Sequence, residues 1–437
     1  MASKREESRC TCQPCVGTEA YIFRLPEEIL AFIIELAARE IPDRHRERDR
    51  YSSFFIISLT VTCHAFNRIA VPLLYHTINI QVSSASGVTK CLHSTLKQKQ
   101  TFARYCQELT IHVGDDEDDE KESVITCDIV GWSSCVKTLK MNTSPFRGTR
   151  PQRSRFLQIA SRSMREITQL KIQAGKEDIQ PREIMESVDM PSLRELSIDG
   201  LTSDEDFDDM DYKHGAAAFT SLTLSNYSIT SRDLERLIKW PKALRHFHID
   251  GISYFYQNLK LSNSIVYSTL LNHNDTLKTI DIGNVCYSDA SPLFPASDFP
   301  ELEALSLSRS AMEDDLKFSP TVADTLLAPK LKSFTLDCRW TDEEAECSPD
   351  FGADEEKWLR ELIKEAITRK AALKKITIEY TSYWGGGNGV EYPWDRVDRL
   401  RNEMRPFGFE FVCEQPDWVE QLNTTSNGST EDVVDVD

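Results

Sequence analysis

Leu193-Arg194-Glu195-Leu196-Ser197-Ile198 reads as apolar, two others, apolar, one other, apolar, and this stretch decides the fold. Its last two apolar residues, Leu196 and Ile198, stand two apart, the period of a short strand with one buried face. The pattern recurs ten times. The other instances are Cys106-Leu109-Ile111, Val136-Leu139-Met141, Ile167-Leu170-Ile172, Phe219-Leu222-Leu224, Leu244-Phe247-Ile249, Leu277-Ile280-Ile282, Leu302-Leu305-Leu307, Leu331-Phe334-Leu336 and Leu373-Ile376-Ile378. Successive starts are separated by 30, 31, 26, 26, 25, 33, 25, 29 and 42 residues, an elastic repeat.

The gaps between units often carry helical spacing. Residues 231–240 place Leu234, Leu237 and Ile238 on one face, with Ser231 as the expected cap and Pro241 as the stop. Residues 354–372 do the same with Trp358, Leu359, Leu362, Ile363, Ala366 and Ile367, and open on three acids that suit the positive helix end. One strand plus one helix cannot bury its own apolar side, but a stack of such units buries a continuous core between a parallel sheet and a helix layer. The expected fold class is therefore α/β, a curved solenoid.

In this pattern the stretch from about residue 100 to 380 resembles an irregular leucine-rich-repeat array. The Asn that many such repeats place three residues after the third apolar position is absent; Leu201, Tyr227, Ile252, Val285, Ser310 and Arg339 stand there instead. A side-chain Asn ladder is therefore ruled out. A mixed α/β domain of about ten strands is the alternative reading of the same pattern.

Residues 22–80 do not repeat. Leu25-Pro26-Glu27-Glu28-Ile29-Leu30 opens a helix with Pro26 near its first position, and Ile29, Leu30, Ile33, Ile34 and Ala37 continue an apolar stripe. Residues 57–78 add one or two further short helices. Here the sequence resembles an F-box of the form common in fungal proteins. Leu25-Pro26 with Ile29-Leu30 and Ile33-Ile34 matches the opening helix, Cys63 stands at the usual Cys, and Phe66 takes the place of the usual Trp. Pro72-Leu73-Leu74-Tyr75 resembles the segment that joins such modules to repeats, while residues 41–53 exceed the usual loop.

The resemblance implies docking on a Skp-type adaptor and, through a cullin, membership of a ubiquitin ligase complex. Leu25, Pro26, Ile29, Leu30, Ile33, Leu59, Cys63 and Phe66 are the candidate adaptor-facing or supporting residues. Several of them, Leu59 and Ile33 above all, read equally as internal core of a three-helix unit.

Of 437 residues, 51 are Lys or Arg and 70 are Asp or Glu, for a net charge of -19. Residues 1–80 hold 10 of each sign, so the excess lies wholly in residues 81–437, with 41 basic against 60 acidic. Nucleic acid is disfavoured as the main ligand, because a polyanion meets a like-charged surface and no basic stripe compensates, so the counterion-release contribution is missing. The longest apolar run, Phe54 to Leu59, falls far short of the roughly 20 residues of a membrane span. With no secretory signal at its start, the chain is expected in cytoplasm or nucleus with reduced thiols. Its 12 cysteines show no framework and read mostly as small core residues. The expected organisation is a tail over 1–19, the F-box-like module over 20–80, the repeat domain over 81–415 and an acidic tail over 416–437.

Residues between the apolar strand positions point to the exposed side of such a sheet. Asp199, Asp250, Asp337 and Glu379 share one row there, with Asp281 adjacent and His246 and His248 on a neighbouring strand position. These seven are the candidate client-binding residues. Two readings stand for them: a groove that attracts a basic or hydroxyl-rich peptide, or the ordinary solubility of an exposed sheet face. The glycine-rich stretch 385–389, flanked by Tyr383, Trp384, Tyr392 and Trp394, reads as a loop with aromatic anchors or as packing under the last repeat.

No catalytic residue, metal or cofactor is expected. Cys10, Cys12 and Cys15 lack the second ligand pair of a closed zinc site, and the glycine-rich stretch lacks a following Lys-Ser/Thr. The sequence thus points to a non-catalytic client receptor of a ligase complex, or to a repeat scaffold without ubiquitin transfer.

Overall fold

The computed structural model describes residues 25–40, 53–82, 87–113, 120–143, 150–174, 179–203, 213–252, 261–283, 293–309, 312, 316–338, 351–379 and 393–413. Twelve strands form one parallel sheet in strict chain order. They are β1 (Thr77–Val82), β2 (Glu108–Val113), β3 (Thr138–Thr143), β4 (Gln169–Gln173), β5 (Glu195–Asp199), β6 (Ser221–Tyr227), β7 (His246–Ile252), β8 (Thr279–Ile282), β9 (Ala304–Ser308), β10 (Ser333–Asp337), β11 (Lys375–Glu379) and β12 (Glu410–Cys413). This is the open sheet of a repeat solenoid, and the ten expected units are β2 to β11.

All thirty apolar positions of those units are buried, none more than 2% exposed. The register carries like position onto like: Leu109 pairs with Leu139, Leu139 with Leu170, Leu170 with Leu196, and Leu196 with Leu222. A parallel ladder in which every strand repeats one pattern needs no slip to keep its buried face continuous.

Helices cover that buried face. They are α4 (Gly87–Gln98), α5 (Glu120–Trp132), α6 (Arg150–Ser163), α7 (Pro181–Ser187), α8 (Ser231–Lys239), α9 (Asn263–Leu270), α10 (Pro320–Leu326), α11 (Ala353–Thr368) and α12 (Pro393–Met404). Phe156, Leu237, Val266, Leu359 and Val397 bring them into the same hydrophobic core as the strands. α8 and α11 match the two helices read from the sequence. The cap of α8, however, is Thr230 rather than Ser231: the Asp233 amide donates to Thr230 Oγ1 at 3.2 Å. Ser231 is already the first helical residue.

The missing Asn ladder is replaced by the backbone itself. At the positions where Asn would stand, Tyr227 pairs with Ile252 as a continuation of the strand ladder, and Leu201 bridges to Ile179. Leu201 and Tyr227 are buried, so apolar packing occupies the place of a polar row. The amides of Ala174, Gly200 and Gly283 donate to Asp199, Ser225 and Ile249 carbonyls at 2.8 to 2.9 Å, which satisfies backbone that an Asn ladder would otherwise serve.

Two strands lie outside the ten units. β1 begins at Thr77, inside the stretch assigned to the helical module, and pairs along its whole length with β2. β12 pairs with β11 after a turn at Gly408, whose φ of 77° is the left-handed region.

Three helices precede the sheet: α1 (Glu27–Glu40), α2 (Ser53–Thr60) and α3 (His64–Leu74). Leu30, Ile34 and Ile69 form one small core with Leu59, Phe66 and Leu73 against it, and Ala38, Ile56 and Ala70 form another. The unit reaches the repeat core through Tyr75, whose ring centroid lies 5.0 Å from that of Phe102 in the short 3-10 helix Gln100–Tyr105 before β2. The tails, residues 41–52, Cys10, Cys12, Cys15 and the aromatic-flanked stretch 383–392 lie outside the described residues.

Candidate functional site

α1 is apolar on two sides, and the three-helix core uses one of them. Leu30, Ile34 and Ala38, at four-residue spacing, turn inward and are at most 5% exposed. Ile29, Phe32, Ile33 and Leu36 turn outward on the opposite stripe at 48%, 58%, 42% and 40% exposure, and Leu25 at 39% extends the patch before the helix begins. A helix with apolar stripes on two sides belongs in contact on both, and here one of them meets solvent. Ile57 and Val61, 50% and 80% exposed on α2 and just beyond it, add to the uncovered apolar surface of the module.

The eight candidate adaptor residues therefore divide. Leu25, Pro26, Ile29 and Ile33 are exposed, with the Pro26 carbonyl accepting from the Ile29 and Leu30 amides at 3.1 and 3.0 Å to start α1. Leu30 is interior, packed with Ile34 and Ile69 beneath the outer stripe. Leu59 and Phe66 are half-buried and pack on the inner core, and Cys63 is the N-cap residue of α3, its carbonyl accepting from the Asn67 amide at 2.8 Å. Of the two ambiguous residues, Ile33 is surface and Leu59 is core. Phe32 and Leu36 were missed; their signal is the second stripe at 29, 32, 33 and 36, hidden because the neighbouring stripe is equally apolar. Arg68 Nε and Nη2 bind Glu27 Oε1 and Oε2 at 2.8 and 2.5 Å and tie α3 to the start of α1.

On the sheet, the structure gathers four of the seven candidate client residues. His246, His248, Asp250 and Asp281 lie on the adjacent strands β7 and β8, where His248 Nδ1 meets Asp281 Oδ2 at 2.6 Å and His246 Nδ1 meets Thr279 Oγ1 at 3.1 Å. Asp199 stands two strands away on β5, where its Oδ1 accepts from Asn226 Nδ2 at 2.8 Å. Asp337 and Glu379 pair in register at the far side of the sheet, on β10 and β11. Asp337 departs from expectation. It is 3% exposed, and its row neighbour Ser308 is 1% exposed, so the end of β10 is a covered place and not open groove. Burial of that carboxylate removes it from the exposed face of the sheet.

Among the seven described cysteines, Cys106, Cys127 and Cys338 are buried, Cys63, Cys135 and Cys413 half-buried, and Cys91 exposed. Burial pushes the Cys106 thiol up to about 12, the state of a core residue and not of a nucleophile. Among the described residues no helix is long and apolar enough to cross a membrane.

No family model matches the chain, and no curated protein matches it in sequence. A chain from the crystal structure of the Rad7 and Elc1 complex in yeast is similar at 12% identity, over 84% of this chain and 93% of that one, with a TM-score of 0.26. At that score the likeness carries no argument.

Proposed function

We propose that this protein is a non-catalytic receptor that docks on a Skp-type adaptor through the outer face of α1 and presents a client protein on its sheet to a cullin-based ubiquitin ligase. The observation that carries the reading is the uncovered stripe Leu25, Ile29, Phe32, Ile33 and Leu36, backed by a small core that holds it outward. An amphipathic partner helix or groove is the natural cover for such a stripe. No residue of this chain has to react, because holding a client lysine near a charged conjugating enzyme raises its effective concentration. The solvent-facing residues of β7 and β8 form the proposed client face, where exposed His246 and half-buried His248, Asp250 and Asp281 offer donors, acceptors and negative charge in one place.

The test is co-purification of the tagged full chain with a Skp-type adaptor and cullin, beside Ile29→Asp/Phe32→Asp and a chain lacking residues 20–80. Recovery of both partners by the intact chain alone supports the reading. Adaptor binding undiminished in the double variant overturns it. Adaptor bound without cullin, or without client turnover, leaves a repeat scaffold that uses the module for assembly only.

A further inference from the structure

The expectation that no basic stripe offsets the acidity does not survive folding. The residue after the first apolar position of each repeat sits at the leading edge of the sheet, just before the strand, and these residues form a continuous hydrogen-bonded row. The Arg194 amide donates to the Thr168 carbonyl, Arg245 to Thr220, Lys278 to Arg245, Glu303 to Lys278, Lys332 to Glu303, and Lys374 to Lys332, all at 2.8 to 2.9 Å. Six of the row's residues are basic: Lys137, Arg194, Arg245, Lys278, Lys332 and Lys374. Successive members are 33 to 57 residues apart in sequence, which is why no stripe is visible there.

Lys137, Arg194, Arg245, Lys332 and Lys374 are exposed, and Lys278 is half-exposed. Lys137, Arg194 and Arg245 enter none of the ion pairs among the described residues. The single acid of the row, Glu303, lies between Lys278 Nζ at 3.1 Å and Lys332 Nζ at 2.7 Å, so three charges there sum to one positive. The opposite end of the same strands carries acids among the described residues, with Asp199 and Glu379 as the last residues of β5 and β11 and Asp250 near the end of β7. Glu108, Glu195 and Glu410 open β2, β5 and β12 beside the row, so the edge where the strands start is mixed but basic on balance, whereas the ends of β5 and β11 carry acids.

We propose that the leading edge of the sheet binds an extended acidic polypeptide segment laid across the strands. Neighbouring strands are about 4.8 Å apart, so Lys137, Arg194 and Arg245 on every second strand recur at about 10 Å, and a peptide extended in the polyproline II form, with three residues per turn at about 3.1 Å each, repeats an acid on one side at about that interval every third residue. From β3 to β11 the row runs about 38 Å, room for roughly twelve extended residues. Charge complementarity selects this partner over nucleic acid. A short acidic segment confines its charge to the row, whereas the phosphates of an oligonucleotide outside the row meet a chain of net charge -19. The proposal is independent of adaptor docking and is tested on the full chain alone, so either can fail without the other.

The probe is a labelled peptide of about five Glu-Gly-Gly repeats, followed by fluorescence anisotropy at low salt, with its Gln counterpart and an oligothymidylate of equal length as comparators. Binding of the Glu peptide is expected, with Kd at least tenfold weaker in Lys137→Glu/Arg194→Glu/Arg245→Glu and in high salt. Glu303→Gln, which frees Lys278 and Lys332, is expected to tighten it. The milder Lys137→Gln/Arg194→Gln/Arg245→Gln variant shifts Kd in the same direction and stands in should the charge reversal misfold. Absence of binding, an unchanged Kd in either triple variant, or equal binding of the Gln peptide overturns the proposal. Tighter binding of the oligonucleotide with the same sensitivity to these residues also overturns it and assigns the row to nucleic acid.

Discussion

Asp250 rests on Gly283. A Cβ at position 283 would lie 2.0 Å from Asp250 Oδ1 and 2.8 Å from Asp250 Cβ, so the carboxylate at the end of β7 occupies the space a side chain would fill on the next repeat. The two positions follow directly on the register pair Ile249 and Ile282. One acid of the proposed client face is therefore oriented by the absence of a side chain across the strand.

Gly283→Ala is expected to cost about 1–3 kcal/mol by overpacking and to turn Asp250 out of its place. Asp250→Ala in the same chain should restore part of the loss, because it removes Oδ1 and Cγ and leaves only the Cβ contact at 2.8 Å. Urea melts of the two single variants and the double give the coupling energy, and additive effects would show that the contact does not set the glycine.

Arg153 is fully buried on α6 and donates from Nε and Nη2 to Glu183 Oε1 and Oε2 on α7 at 2.7 and 2.5 Å, with Ser154 Oγ also donating to Oε1 at 2.9 Å. Removing one partner leaves an uncompensated charge, so Arg153→Met is expected to destabilise by about 3–5 kcal/mol. Arg153→Met with Glu183→Leu should cost much less than the sum of the single changes. Denaturation midpoints of the three variants decide it, and a double variant as weak as the sum contradicts the pairing argument.

Inner and outer stripes of α1 should separate stability from binding. Leu30→Ala empties a buried site and is expected to cost about 2–5 kcal/mol. Ile33→Ala, at an exposed position, should change stability by no more than about 0.5 kcal/mol. It should nevertheless weaken adaptor recovery. Thermal melts and co-purification on the same two proteins check the split, and an Ile33→Ala chain that melts like Leu30→Ala would return Ile33 to the core.

His273 links two repeats: its Nε2 faces the Ile238 carbonyl at 2.7 Å, and the Leu244 amide donates to Nδ1 at 3.4 Å, which requires the neutral ring protonated at Nε2. Burial lowers its pKa below the ordinary value of 6.5. The folded protein then binds fewer protons than the unfolded chain in that range, so this contribution is present above pH 6.5 and is lost as pH falls through the folded pKa. Urea midpoints measured downward from pH 8 should fall more steeply below 6.5 in the native protein than in His273→Gln. Equal slopes would show that His273 titrates as it does in the unfolded chain.

Much of the fold was legible in the sequence because strand burial is a local property. Leu196 and Ile198 alternate with Glu195 and Ser197, and any chain with that period beside copies of itself buries the first pair and exposes the second. β1 was equally legible in Tyr75, Ile78 and Ile80, which fit the same pattern, but the adjoining helical module claimed them. β12 was hidden because Gly408, with its left-handed backbone, stands where the first apolar residue would be.

By itself the sequence determined the repeat, the ten strands β2 to β11 and the apolar character of α1, since each follows from residues within one or two turns or strands of one another. Tertiary structure alone decided which stripe of α1 faces out, because two stripes of equal hydropathy compete and only packing against Ile69 and Phe66 chooses between them. It decided that Asp337 is covered and that Asp250 lies on Gly283. It also assembled the basic row of Lys137, Arg194 and Arg245, for a parallel sheet makes neighbours of residues that the chain keeps more than 50 apart.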